Sequence, residues 1–112
     1  GGGYSTAPDL RAFADALRGH KLLSAAMTET VTSPKVDLPP DWIGAKRYGY
    51  GFRTRVVRGK EVRGHGGGAM GLNSELDVFW DGSYTVVVVG NYDPPAADVF
   101  AREILEFLAV QN

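Results

Sequence analysis

Hydrophobic positions near the start of the chain recur at helical spacing. Thr6 is a suitable N-cap for this helix, and Gly19 is suited to end it. A weaker helical pattern covers residues 24–31 and ends before Pro34. The apolar face of the first helix follows the i, i+3, i+4, i+7 rule: Leu10, Phe13, Ala14 and Leu17.

The segment of residues 34–46 contains three prolines, which predicts an irregular loop. Trp42 and Ile43 within it are expected to anchor this loop to the core. Beyond Arg47 the hydrophobic period falls to two, which is typical of strands. The first of these strands is predicted to carry Arg53 and Arg55 on one face. Its opposite face is more apolar: Tyr48, Tyr50, Phe52, Thr54 and Val56.

The second half of the chain predicts three more strands and a helix. Residues 61–65 read as a returning strand, and the glycine cluster that follows is expected to interrupt regular structure. Residues 72–80 alternate again, and Asp81-Gly82 predicts a two-residue hairpin turn. Residues 84–91 are apolar on both faces, which favours a strand inside a sheet that is covered on both sides.

Pro94-Pro95 is expected to stop this strand and to open a final helix. The inward stripe of that helix is predicted as Val99, Phe100, Ile104, Phe107 and Leu108. Taken together, the patterns predict an α+β fold, in which an antiparallel sheet of about four strands is flanked by N- and C-terminal helices.

The composition argues against several classes of function. A length of 112 residues allows one small domain or part of a larger one. The net charge of −1 argues against a nucleic-acid binder. The chain has no cysteine and two histidines, so we expect no metal site and no cofactor. No apolar run approaches the roughly 18 residues of a membrane span. The N-terminus has no signal-peptide pattern, and the sequence predicts no compartment.

The most unusual local feature is the run Gly-His-Gly-Gly-Gly at residues 64–68. Glycines leave backbone N–H groups open to a close ligand, and such donors can stabilise a developing oxyanion. His65 can accept or donate a proton near neutral pH. The alternative is a glycine-rich bend between two strands that carries an exposed histidine. A phosphate loop is excluded, because the run lacks the Gly-Lys-Ser/Thr ending and precedes a strand.

Four segments in order resemble the serine hydrolases of the class C β-lactamase and penicillin-binding-protein-like superfamily. The stretch GGYSTAPDL at residues 2–10 resembles the family's Gly-Gly-x-Tyr-Ser-Thr segment before a helix, and YGYGF at residues 48–52 resembles its Tyr-Gly-x-Gly-aromatic strand. GHGGGAMGL at residues 64–72 resembles its third active-site motif, and residues 86–91 with the helix after them resemble its last strand and C-terminal helix.

The sequence departs from this family in two places. No serine is followed by lysine three residues later, so the family's Ser-x-x-Lys nucleophile motif is missing. No tyrosine is followed by asparagine two residues later, so the Tyr-x-Asn motif is missing too. The resemblance therefore implies that residues 1–112 are a single partial domain, the C-terminal portion of a β-lactamase-like hydrolase domain. Such a piece suits a proteolytic product or a truncated chain, and we expect it to be inactive alone.

The resemblance also implies roles for single residues. His65 would replace the lysine or histidine that lines the pocket and orients the substrate or the proton network. Gly66 and Gly67 complete the motif, and the N–H of Gly68 would be one donor of the oxyanion hole. Asn91 lies near the family's polar substrate contact, although a strand-end asparagine that satisfies backbone groups is the competing interpretation.

Tyr48 is a candidate for the pocket wall, or a half-buried strand aromatic. One further surface is predicted across a hairpin, a basic patch that is either simply solvated or binds an anionic partner: Arg53, Arg55, Arg58 and Arg63.

The sequence supports two functions of different classes. The first is part of a serine acyl hydrolase whose partners are the remainder of the domain and a small ester, amide or β-lactam substrate. The second is a small non-catalytic module that binds through the glycine-rich edge or the basic patch. Self-association through residues 84–91 is expected for the partial domain. The resemblance implies that this strand pairs with a strand from the N-terminal part of the domain, whose loss would leave four consecutive valines on an open strand edge.

Overall fold

The computed structural model describes residues 1–40 and 46–111. The helices are α1 (Ala7–Arg18), α2 (Ala25–Thr32) and α3 (Ala96–Ala109). The strands are β1 (Val36–Asp37), β2 (Arg47–Tyr48), β3 (Arg53–Val57), β4 (Lys60–Ala69), β5 (Leu72–Phe79) and β6 (Thr85–Gly90).

The strands form an antiparallel sheet in sequence order from β1 to β6, flanked by the helices. The predicted α+β class is therefore confirmed, but the sheet has six strands rather than about four. The additional strands are short: β1 and β2 pair with each other at Val36↔Tyr48 and Asp37↔Arg47. Trp42 and Ile43 lie outside the described residues.

Side-chain caps begin the first two helices where the sequence predicts. The Thr6 hydroxyl accepts the N–H of Asp9 at 3.3 Å, and the Ser24 hydroxyl accepts the N–H of Met27 at 3.2 Å. Each bond satisfies one of the donors that a helix N-terminus leaves unpaired. In the part of the chain described, no helix is long and apolar enough to cross a membrane.

The glycine cluster does not interrupt the sheet, so that prediction was wrong. Strand β4 runs through it to Ala69 and stays in register with β5 throughout. Glycine weakens an isolated strand, but here the neighbouring strand supplies the hydrogen bonds that hold the extended backbone. The turn comes later, at Gly71, whose φ of +77° suits a glycine. The next connection is also longer than predicted: Asp81-Gly82 lies in a loop of residues 80–84.

The core lies between the sheet and α3. Its strand members are Val57, Val62, Phe79 and Val86, and its helix members are Ala101, Leu105 and Ala109. The predicted inward stripe of this helix was partly wrong: Ile104 and Leu108 pack against the core, whereas Phe100 and Phe107 are 60% and 66% exposed. Alanines at i, i+4 spacing let the helix approach the sheet closely, which turns the bulky rings outward.

Strand β6 is the last strand of the described sheet, not an internal one. Val86 is buried, but Val89 is 53% exposed. Both α3 and α1 contact this strand. The four consecutive valines are therefore explained by the helices that cover this strand, and not by neighbouring strands on both of its edges.

The predicted basic patch does not exist as one surface. Arg55 is only 6% exposed and pairs with Asp77, while its neighbour Val56 is 68% exposed, so the arginine rather than the valine is buried here. Arg63 is buried and pairs with Glu29 of α2 at 2.7 Å. Arg53 and Arg55 share Asp77, whereas Arg63 pairs with Glu29 and Arg58 with Glu106. The arginines therefore bind different carboxylates of the chain instead of forming one basic surface, since a buried guanidinium needs such a partner.

Candidate functional site

An open cleft of about 470 Å³ lies beside the outer edge of β4. Its lining includes five of the six site residues named from the sequence, together with one that was not: Tyr48, His65, Gly66, Gly67, Gly68 and Asn73. The sixth, Asn91, lies outside this lining and is exposed just after β6. The cleft therefore unites two segments that are separated along the chain.

The second half of β4 has one unpaired edge. The ladder between β3 and β4 ends at Gly64. The N–H of Trp80 donates to the carbonyl of Glu61 at 2.8 Å, so odd-numbered residues of β4 point their backbone groups toward β5. The even-numbered residues point the other way, which leaves the N–H groups of Gly66 and Gly68 facing the cleft.

The phenol of Tyr48 and the imidazole of His65 form a hydrogen-bonded pair in this cleft. Tyr48 Oη lies 2.9 Å from His65 Nε2, and His65 Nδ1 lies 2.5 Å from the carbonyl oxygen of Gly66. A carbonyl can only accept, so the neutral imidazole donates from Nδ1 and accepts the phenolic proton at Nε2. Both ring nitrogens are thus engaged, and the ring is oriented before any ligand enters.

Comparison with known proteins gives the family of the chain. The family described as Beta-lactamase matches residues 1–111. The chain belongs to the β-lactamase family. The resemblance inferred from the four motifs is thereby confirmed. No protein in a search of curated sequences matches this chain.

In this β-lactamase family chain the glycines of β4 also have a packing role. A Cβ added at Gly64 would overlap the carbonyl oxygen of Leu76, and one at Gly66 would overlap the carboxylate of Glu75. At Gly68 it would lie 2.7 Å from Cγ of Pro94. The backbone of β5 fills the space beside Gly64, and the side chains of Glu75 and Pro94 fill the space beside Gly66 and Gly68, so any larger residue would displace them.

A buried ionic network lies next to these glycines. Arg53 contacts Glu75 at 2.5 Å and Asp77 at 3.4 Å, and Arg55 contacts Asp77 at 2.5 Å and Asp98 at 3.8 Å. Burial opposes the charge on Arg53, but the bond to Glu75 and the surrounding carboxylates outweigh it and raise the pKa of Arg53. Burial raises the pKa of Glu75 above its ordinary value, against the opposite influence of Arg53.

Asn73 is the site residue that sequence reasoning missed. Its Nδ2 donates to the carbonyl of Gly67 at 2.8 Å, and its Oδ1 accepts the N–H of Ala97 at 2.7 Å. Its place in the alternation of β5 was visible, since it shares a face with Phe79 of the core. The alternation alone did not show that the polar side of this strand is buried.

The described residues contain no cluster of three or more acidic or histidine side chains that could hold a metal ion. The cleft offers backbone donors, an imidazole and a phenol, and its lining also includes the charged residues Lys46, Arg53, Glu75 and Asp98. The backbone donors, the imidazole and the phenol suit the stabilisation of an oxyanion and the movement of a proton.

Proposed function

We propose that this chain forms one wall of the acyl-transfer site of a β-lactamase-related serine hydrolase, with residues 1–112 as the C-terminal portion of that domain. The observation that carries the proposal is the open edge of β4, where the N–H of Gly68 faces the same cleft as the Tyr48–His65 pair. Membership of the β-lactamase family supports the same chemistry.

In this proposal the serine nucleophile comes from a Ser-x-x-Lys segment that this sequence lacks. The serine attacks the carbonyl carbon of an ester, amide or β-lactam, and the carbonyl oxygen becomes an oxyanion. The N–H of Gly68 donates to that oxygen, and the N–H of the serine itself is the second donor. Loss of one such donor typically lowers the rate by about 10²–10³.

His65 and Tyr48 serve the proton transfers of this reaction. Tyr48 donates its phenolic hydrogen to Nε2 of His65, so the phenolic oxygen can accept a proton while its own proton passes to the imidazole, and the same steps in reverse return a proton to the leaving group. Gly66 and Gly67 keep the wall of the cleft free of side chains, which lets an extended acyl substrate lie against the strand.

The test begins with the coding sequence upstream of Gly1. The proposal requires an in-frame Ser-x-x-Lys there, followed by Tyr-x-Asn. The complete polypeptide should hydrolyse nitrocefin or p-nitrophenyl esters or be labelled by a fluorescent penicillin, whereas the 112-residue chain should do none of these. An unrelated upstream domain would overturn the proposal, and so would serine acylation of the isolated chain seen by intact mass.

We propose in addition that the isolated chain associates through β6. Among the described strands this one pairs on a single edge, and that edge carries the valines of residues 86–89. Unpaired strand edges of this kind are templates for pairing with another chain. A role as a binding module would have to use the glycine-rich edge alone, because the arginines do not form one patch.

A further inference from the structure

The amide of Asn73 is hydrogen-bonded at both ends. It donates to the carbonyl of Gly67 at 2.8 Å and accepts the N–H of Ala97 at 2.7 Å and that of Asp98 at 3.4 Å. The carbonyl can only accept and the backbone N–H groups can only donate, so the orientation of the amide is unambiguous. The side chain is 6% exposed, and hydrogen bonds in such a low-dielectric setting polarise one another.

The carbonyl that Asn73 holds belongs to the same peptide unit as the N–H of Gly68. A trans peptide is planar, so its C=O and N–H point in opposite directions. The oxygen of Gly67 faces β5 and Asn73, while the N–H of Gly68 faces the cleft. In the ladder this oxygen also faces the N–H of Ser74, the partner of Gly67 on β5, so the bond from Asn73 is an additional one. An additional hydrogen bond accepted by the oxygen holds the plane of this unit and withdraws electron density from the N–H, which makes the N–H a stronger donor.

The other end of the Asn73 amide replaces a missing helix cap. Pro95 occupies the N-cap position of α3 and makes no side-chain cap hydrogen bond. Ala97 and Asp98 are the second and third residues of this helix, whose N–H groups an N-cap side chain normally accepts. Asn73 accepts them from the sheet instead, so it lies at the positive end of the dipole of a 14-residue helix.

We propose that Asn73 is a positioning residue that orients and polarises the N–H of Gly68 through a relay of amides starting at α3. The relay runs from the N–H of Ala97 through the side chain of Asn73 to the Gly67–Gly68 peptide. Its catalytic consequence rests on the proposed function, but the relay itself is a property of this chain and can be measured without any activity.

The first experiment is NMR on the 112-residue chain. The wild type should show a coupling through the hydrogen bond between Asn73 Nδ2 and the carbonyl carbon of Gly67. Asn73→Asp keeps an acceptor for Ala97 and Asp98 but removes the donor, so the Gly68 amide nitrogen should shift upfield. Asn73→Ala should give the same shift and also lower stability, because it removes the cap as well.

Ser74→Ala is the matched control. Ser74 is the next residue of β5 and approaches Gly67 from the other face, with its Oγ 3.1 Å from where a Cβ of Gly67 would lie. This variant should leave the Gly68 resonance in place. The relay is overturned if the wild type shows no coupling to Gly67, or if Asn73→Asp moves the Gly68 amide no more than Ser74→Ala does. The coupling in the wild type tests the hydrogen bond between Asn73 and Gly67 even where a variant fails to fold.

The second experiment uses the complete hydrolase. Asn73→Asp should lower kcat about tenfold with a smaller change in KM, since a weakened rather than absent oxyanion donor acts chiefly in the transition state. Ser74→Ala should keep wild-type kinetics. A folded Asn73→Asp enzyme with wild-type kcat overturns the catalytic role. A wild-type polypeptide without hydrolase activity overturns the proposed function instead and leaves the NMR result standing.

Discussion

Tyr48 Oη lies 2.9 Å from Nε2 of His65, and the two rings meet edge to face with their centroids 5.7 Å apart. Tyr48 reaches this position because β2, only two residues long, pairs with β3 at Tyr48↔Arg53. Tyr48, a candidate from the sequence for the pocket wall, therefore contacts His65 of the glycine run.

Replacement of His65 by alanine should lower kcat/KM of the complete hydrolase by about ten- to a thousand-fold, because it removes a positioned proton-transfer group. The free energy of unfolding should change little, since this side chain is exposed. Steady-state kinetics and urea denaturation measure the two effects. His20→Ala, at the other histidine of the chain, is the control. Unchanged kinetics in His65→Ala would show that His65 takes no part in proton transfer and is only a structural residue of the strand.

Tyr48→Phe keeps the ring and removes only the hydroxyl. In the wild type we expect the neutral imidazole of His65 to be protonated at Nδ1, because Nε2 accepts the phenolic proton. The variant should populate the other tautomer as well, which nitrogen-15 NMR of the imidazole detects. Tyr50→Phe is the matched control on an exposed tyrosine. The same tautomer ratio in wild type and Tyr48→Phe would contradict the proposed pair.

Arg63→Lys should destabilise the chain by about 1.5–3 kcal/mol, the range for hydrogen bonds to charged groups. Arg63 grips both carboxylate oxygens of Glu29, at 2.7 and 3.0 Å, and its guanidinium lies 4.4 Å from the ring centroid of Trp80. Lysine can neither donate to both carboxylate oxygens in this geometry nor stack on the indole ring. Arg58→Lys is the control, because its pair with Glu106 is exposed and worth little. Denaturant unfolding measures the free energy of unfolding that each variant loses. Equal losses would show that the contacts of Arg63 with Glu29 and Trp80 contribute little to stability.

The Glu29–Arg63 pair should also appear in the dependence of stability on pH. The hydrogen bond from Arg63 lowers the pKa of Glu29 in the folded chain. The pKa of Glu29 is lower in the folded chain than in the unfolded chain, where it is about 4.3, so the ionised carboxylate stabilises the fold above that pH. This stabilisation is lost as the pH falls through the pKa of the folded state. Glu29→Gln should therefore flatten the decline of unfolding free energy between neutral and acid pH. An equal flattening in Glu103→Gln, at an exposed glutamate, would contradict this origin.

Light scattering at micromolar concentration should show the isolated chain as a dimer or larger. Val89→Lys should shift it toward monomer, because a charged side chain on an open edge discourages strand pairing. Val56→Lys introduces the same charge at another exposed valine and should leave the association unchanged. A wild-type monomer whose amides at residues 86–89 exchange slowly would refute association through this edge.

Local signals in the sequence determined the helix starts and the family motifs. A cap such as Thr6 or Ser24 acts within three residues of itself, so its effect can be predicted without knowing the rest of the fold. The same holds for the place of the Asp81-Gly82 turn and for His65 as the unusual residue of the glycine run, which need only the residue types and their spacing. The role expected of Gly68 follows from the resemblance to the family.

Only the tertiary structure decided which polar groups are buried and what they do. Arg55 and Asn73 lie in alternating strands whose sequence does not show which polar positions are buried. Each is 6% exposed because its partner comes from a distant element. The glycines of β4 remain a strand because side chains of β5 and Pro94 fill their empty space. Pairing across a sheet and packing under a helix join residues more than twenty positions apart, and hydrophobic periodicity carries no information about which partner a polar side chain will meet.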